Sequence, residues 1–314
     1  MPRARLASES MTATLTESCR RLGLLPGGAV LLAVSGGADS TAMLIAMARG
    51  AERLGLRVEV ASLDHGLRPE SAQEVEAVAR LAARFGLPFH TRALGLRPGP
   101  GVEARAREAR YAALEALRVE RGLDAVATAH TASDQAETLL MRLARGASLR
   151  GARGIQAVRG PVVRPLLDCT REDMEAFLAE QGVPFFRDPM NADPALLRSR
   201  IRHEVLPALA RAAGHPVARR LAAFARLASE DAALLEELAE AAWRRLARPE
   251  GGLDAVGVRA LEPPLRRRVL ARLVSEAGAP VDDALLTRLL RAVDTGRPAS
   301  VGQRQSCSSS RSST

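Results

Sequence analysis

The sequence predicts a doubly wound α/β fold, a parallel sheet flanked by crossover helices, followed by a smaller all-helical domain. Three observations predict it. Between residue 29 and about residue 167, short apolar or β-branched runs alternate with longer segments whose apolar residues recur at helical spacing. From about 217 to 295 the chain is rich in Ala and Leu at that same spacing, with no convincing strand. Phe, Trp and Tyr number only 6, 1 and 1 in 314 residues, so the core is aliphatic and an aromatic-rich β-sandwich is disfavoured.

The elements follow in order. Strands are expected at Ala29 to Val34, Val58 to Leu63, Pro88 to Leu94, Ala125 to Ala129 and Pro161 to Leu167. Helices are expected at Met43 to Arg49, Ser71 to Phe85 and Val102 to Arg121, lengths that suit right-handed crossovers. Gly214-His215-Pro216 is a breaker, which divides the chain into a sheet domain over residues 1–214 and a helical domain over 215–297. Residues 298–314 are rich in Ser, Gln and Arg, offer no apolar face, and are expected to be disordered and dispensable for folding.

Charge and cysteine usage narrow the class. Lys and Arg number 45 against 36 acidic residues, a net charge of +9, and every one of those bases is arginine. GC-rich codon usage accounts for this; so does a phosphate or RNA partner, which guanidinium forks suit, and charge alone does not choose. Cys19, Cys169 and Cys307 are scattered and form no C-x-x-C pair, so neither a disulfide framework nor a cysteine-held cluster is indicated, and a reducing cytoplasm fits. No apolar run approaches membrane-spanning length, and Glu9, the threonines and Glu17 interrupt any signal core.

The strongest local signal is Ser35-Gly36-Gly37-Ala38-Asp39-Ser40-Thr41, between the first strand and a helix. Glycines let backbone N–H groups close round an anion, and Ser35, Ser40 and Thr41 add hydroxyls at a helix N-terminus, which makes a phosphate cradle. It lacks the lysine and the spacing of a Walker-A loop. Asp39 would repel a bare phosphate, so its place here makes sense with Mg²⁺ between carboxylate and nucleotide. A plain glycine turn capped by Asp39 is the competing reading.

This S-G-G-x-D-S pattern resembles the PP-loop of ATP pyrophosphatases, Rossmann-like enzymes that cleave ATP between its α and β phosphates to adenylate a substrate. Further stretches sharpen the likeness: Leu63-Asp64-His65-Gly66-Leu67-Arg68; Glu103 to Tyr111 with Arg105, Arg107 and Arg110; and Ala129-His130-Thr131-Ala132-Ser133-Asp134-Gln135-Ala136-Glu137-Thr138. With Arg145-Gly146, Arg164-Pro165-Leu166 and the run from Asn191 to Pro207, the order is similar to that of the tRNA(Ile)-lysidine synthetase family over about residues 20 to 210. The resemblance implies ATP and Mg²⁺ as cofactors, and free L-lysine and the CAU-anticodon isoleucine tRNA as partners. It also implies attachment of lysine to C2 of the wobble cytidine through an adenylated intermediate. No membrane partner is expected, and a homodimer stays open.

The resemblance further implies that Asp134, with Asp39, serves the metal or the attacking amine, with His130 nearby; a helix N-cap is the alternative for Asp134. Among the helix arginines, Arg110 is a candidate to neutralise phosphate charge during adenylation. Arg198, Arg200 and Arg202 match a segment that serves the tRNA or the nucleotide, and tRNA is the expectation carried forward. The family pattern has a second acidic residue where Ser133 stands and Asn where Ser199 stands. A PP-loop tRNA thiolase is the main competitor, though thiolation commonly relies on cysteine pairs absent here; a non-catalytic nucleotide- or RNA-binding module is the other.

Overall fold

A computed structural model describes residues 2–66, 71–96, 99, 101–147, 149–186, 195–249 and 251–296; side chains of residues 2–10, 103 and 150 are outside the description. The expected tail, the Leu67-Arg68 pair and the first four residues of the run from Asn191 to Pro207 lie outside these residues.

The described residues fall into two compact units that divide between Ser229 and Glu230. In the first, helix α1 (Pro2–Arg21) precedes strand β1 (Ala29–Ala33), helix α2 (Ala38–Leu54), strand β2 (Arg57–Asp64), helix α3 (Ser71–Arg84) and strand β3 (Phe89–Ala93). Helix α4 (Val102–Glu120), strand β4 (Ala125–Thr128), helices α5 (Ala132–Ala144) and α6 (Leu149–Ala152), and strands β5 (Val158–Arg159) and β6 (Val162–Val163) follow. Then come helices α7 (Arg171–Gln181), α8 (Leu197–Arg200) and α9 (Leu206–Ala213), with a π-helical turn over Ile201–Val205 between the last two.

The sheet order is β3-β2-β1-β4-β6-β5, parallel except for β5 against β6. Leu31 of β1 lies opposite Glu59 of β2 and Val126 of β4, so β1 is the central strand and its neighbours were reached in opposite directions. Parallel strands covered on both faces read as continuous apolar runs, and four of the five β1 residues and all four of β4 are buried. On one face Met43, Ile45 and Met47 of α2 pack with Leu15 of α1 and Met174 and Leu178 of α7. On the other, Leu114 and Leu117 of α4 cover Leu31, Ala61 and Val126.

The last expected strand is much shorter than Pro161 to Leu167. It is the two-residue β6, because Pro165 has no N–H to continue the ladder and the chain turns away at Arg164. Gly214 ends α9 in the left-handed conformation, and helix α10 (Ala218–Leu246) runs through the division at Ser229. The second unit contains the remainder of α10 with helices α11 (Ala255–Arg259), α12 (Pro263–Glu276) and α13 (Asp283–Thr295). Val258, Val269, Leu270, Val274, Leu286 and Leu289 form its core with Ala239, Ala242 and Leu246. No described helix is long and apolar enough to cross a membrane.

Candidate active site

Open parallel sheets bind ligands outside the carboxyl ends of their strands where the strand order reverses. Here that point lies between β1 and β4, and a cleft of about 820 Å³ opens there. Ser35, Gly37, Ala38, Asp39 and Ser40 line it from the β1 end, His130 and Asp134 from the β4 end, Arg110 and Tyr111 from α4, and Arg171, Arg198 and Arg202 from later helices. The sequence-predicted loop and the β4 motif therefore meet.

The loop is held by its own hydroxyls. The Ser35 amide donates to Ser40 Oγ at 3.2 Å, and Ser40 Oγ donates to the Gly37 carbonyl at 3.1 Å. Gly36 sits at φ +83° and its carbonyl accepts from the Phe186 amide at 3.0 Å. A Cβ there would stand 3.1 Å from the Phe186 ring, so both backbone conformation and space call for glycine. Gly37 then precedes α2 without any side-chain cap, which leaves that helix N-terminus facing the cleft. Thr41 is buried beneath the loop.

Asp39 stands in the first turn of α2. Its Oδ1 is buried with no hydrogen-bond partner, and its Oδ2 lies 3.7 Å from Arg171. Burial, only partly countered by Arg171 and reinforced by Asp134, pushes its carboxyl up to about 6. An orphaned carboxylate oxygen beside an anion cradle fits a cation that also binds phosphate oxygens. Among the described residues no group of three or more His, Cys, Asp or Glu is placed to hold a metal by itself. Mg²⁺, which commonly uses one or two carboxylates plus substrate phosphates, is the ion this donor set suits.

Asp134 has two attachments. Thr131 caps α5 and Asp134 completes a capping box, accepting from the Thr131 amide at 2.9 Å through Oδ2. Its Oδ1 accepts from Arg198 at 2.7 Å and Arg171 at 3.4 Å. Burial alone would raise this carboxyl, but Arg198, the Thr131 amide and Arg171 outweigh it and hold the group below the ordinary carboxylate range. Asp134 is therefore not the N-cap, which is Thr131, but the third-position partner in the capping box, and it lines the cleft as well.

One turn on, Glu137 is fully buried and is ringed by arginines: Arg198 Nε at 2.7 Å, Arg202 Nε at 2.6 Å and Arg171 Nη1 at 3.5 Å. Ser133 accepts from the Arg171 amide at 3.1 Å, tying α5 to α7. His130 bonds Thr128 Oγ1 at 3.0 Å, and burial, partly countered by Asp134 and reinforced by Arg164, Arg107 and Arg198, lowers it to about 4, so the imidazole is neutral at pH 7. Arg164 is itself buried, with Nη1 donating to the Gln156 carbonyl at 2.6 Å.

Arg198 and Arg202 lie in the cleft, clasped by carboxylates, whereas Arg200 is exposed outside it. Arg171, Glu175, Phe185 and Phe186 line the cleft without any sequence signal assigned to them. The Thr170-x-x-Asp173 box marks a helix start directly after the last strand, a cue that could have placed Arg171 at this edge. Cys19 and Cys169 are buried, and burial pushes both thiols up to about 12, so neither is a ready nucleophile.

A parallel sheet with a phosphate cradle after its central first strand defines the class, and residues 8–209 match the family model of the PP-loop domain, to which this chain belongs. Within that class the chain is 43% identical over 279 residues to the tRNA(Ile)-lysidine synthase of Streptomyces coelicolor, covering 88% of this chain and 79% of that one. It is 44% identical over 298 residues to the enzyme of the same name from Methylobacterium nodulans, covering 88% and 86%. The chain therefore belongs to the tRNA(Ile)-lysidine synthase family, PP-loop ATP-using enzymes of tRNA modification. Among solved structures, the U34-tRNA thiolase NcsA of Methanococcus maripaludis, determined with its [4Fe-4S] cluster, shares the fold at a TM-score of 0.61 and 15% identity, over 72% of this chain and 80% of that one.

Proposed function

We propose that the chain ligates free L-lysine to C2 of the wobble cytidine in the CAU-anticodon isoleucine tRNA, through an adenylated tRNA, with release of pyrophosphate and AMP. One observation carries the reading: a phosphate cradle with an orphaned Asp39 oxygen shares a cleft with Asp134 and with Arg171, Arg198 and Arg202, guanidiniums that also pair with the buried Glu137. Both charge signs are what the two half-reactions need. The cytidine carbonyl oxygen attacks the α-phosphorus and pyrophosphate departs; the lysine ε-amine then attacks C2 and AMP departs with the oxygen.

Ser35 to Thr41 bind the departing phosphates, and Asp39 with Asp134 would hold Mg²⁺, which would supply positive charge to offset that of the pyrophosphate. Asp134, kept ionised by the arginines around it, attracts the lysine ammonium, and Arg171, Arg198 and Arg202 take up carboxylate or phosphate charge when the pairing rearranges. Arg110 faces the cleft from α4 and answers phosphate charge from the opposite wall. The role expected of the three alternating arginines divides: Arg200, exposed, serves the tRNA backbone, while Arg198 and Arg202 serve the reaction centre. Cytoplasmic location goes with such a substrate.

Incubation with ATP, Mg²⁺, radiolabelled lysine and total tRNA tests this. Label is expected in tRNA, with AMP and pyrophosphate formed in equal amounts. No label in tRNA, or sulfur entering in place of lysine, overturns it.

A further inference from the structure

The two walls of the cleft are charged differently. On the α5 and α7 side each guanidinium is answered by a carboxylate: Arg171, Arg198 and Arg202 by Asp39, Asp134 and Glu137. On the α4 side Arg110 and Tyr111 line the cleft, and Arg107 stands over Tyr111 with its guanidinium carbon 5.2 Å from the ring centre. Neither Arg107 nor Arg110 has a carboxylate partner among the described residues. Burial, partly countered by Tyr111 and reinforced by Arg107, lowers Arg110 below the usual guanidinium range, a cost that an incoming anion would relieve. The field of Arg107 also reaches His130.

Tyr111 is the only tyrosine of the chain, it is half-buried, and Leu63, Leu114 and Ala61 line the cleft with it. An aromatic ring in a cleft lined also by apolar side chains, with arginine over one of its faces, is the kind of surface on which unpaired nucleobases stack. Although surrounding atoms crowd Arg110, both it and Arg107 keep exposed surface on α4, where an extended polyanion can reach them. The phosphates of a free nucleotide are instead drawn to the loop across the cleft.

We infer that Arg107, Arg110 and Tyr111 form an RNA-nucleotide subsite, in which a base flipped out of a single-stranded loop lies against Tyr111 and its flanking phosphates meet the two arginines. The inference rests on the proposed tRNA substrate. It supplies the entrance that Arg198 and Arg202, occupied by carboxylates, do not. Held there, a base would enter the cleft from the α4 wall, facing the α-phosphate of a nucleotide seated on the Ser35 to Thr41 loop.

The test uses the full chain and a synthetic RNA stem-loop with a CAU anticodon, its affinity followed by fluorescence anisotropy over a range of salt. ATP affinity of each variant, measured by equilibrium dialysis with Mg²⁺, reports an intact nucleotide site and fold. Tyr111→Ala should weaken stem-loop binding about 5- to 100-fold while Tyr111→Phe retains it, because stacking needs the ring and not the hydroxyl. Arg107→Gln should flatten the plot of log affinity against log salt by about one unit. Stem-loop binding unchanged in Tyr111→Ala and Arg107→Gln overturns the subsite, as does loss of ATP affinity with RNA binding spared, which would make Tyr111 the platform for adenine. If the wild-type chain puts no lysine into tRNA, the proposed function fails; if it does and the variants bind RNA normally, the subsite alone fails.

Discussion

Two ionic clusters sit at opposite ends of β2 and its neighbours, and they are built on opposite principles. Near the amino end, Glu59 of β2 is 2% exposed, and its carboxylate meets His90 Nε2 at 2.6 Å, Arg121 Nε at 3.2 Å and Arg57 at 3.4 Å. Burial would raise Glu59, but the hydrogen bonds to His90 and Arg121 reverse the sign and hold it below its ordinary value. At the carboxyl end, Asp39 is left with an oxygen that nothing satisfies, and its carboxyl rises to about 6. The first cluster is complete in the folded chain and joins β2, β3 and the end of α4. The second is complete only when something else is bound, and such unsatisfied charge is characteristic of a reaction centre.

Substitution should separate the two. Asp39→Asn should lower lysine incorporation at least 10²-fold, about 2.7 kcal/mol of barrier, as measured by label in tRNA. The same change should raise the melting temperature of the ligand-free protein above pH 6. Moving a carboxyl from 3.8 to about 6 corresponds to about 3 kcal/mol at most. Because the folded value is the higher one, Asp39 contributes full stability below pH 3.8 and loses it as pH climbs through 6. Melting curves of wild type and variant should therefore converge near pH 4 and separate by several degrees near pH 7.5. A variant that is less stable at pH 7.5 would place Asp39 with Glu59 as a structural charge.

Glu59→Gln should do the reverse, lowering the urea midpoint by the equivalent of about 1–3 kcal/mol while turnover per folded molecule is unchanged. Its contribution is present above the unfolded carboxyl value and is lost as pH falls through the lowered folded one, so the deficit should shrink in acid. A turnover loss without a stability loss would merge the two clusters. The smallest effect belongs to Arg200→Gln, which should flatten the salt dependence of tRNA binding by about one unit and leave ATP affinity alone. Equal loss of ATP affinity would show that Arg200 shares the duties of Arg198.

How much of this was written in the sequence depends on whether the information is local. The runs at 29–34, 58–63 and 125–129 became β1, β2 and β4 to within a residue or so, since buried parallel strands are legible as apolar runs ended by glycine or polar turns. The glycine loop was legible for the same reason, its chemistry lying in seven consecutive residues. Arg171 was not, since its meaning comes from α7 docking where Ser133 accepts its amide and Asp134 its guanidinium. Glu137 was visible inside the β4 motif, but its burial beneath Arg198 and Arg202 depends on a helix some sixty residues later. Alternating arginines at 198, 200 and 202 read as one basic patch, yet the helical path turns two into the cleft and one outward.

The hydrogen bond from the Phe186 amide to the Gly36 carbonyl, with its ring over Gly36, has a bearing on how this domain can be cut. The anion-binding turn is not a portable peptide: its last brace comes from a strand-like contact about 150 positions downstream. A fragment that stops after β4 would keep every letter of the signature and lose the clasp that shapes it. The smallest piece able to hold a nucleotide in this fashion must extend through Phe186, so the signature locates the site without delimiting the unit that makes it.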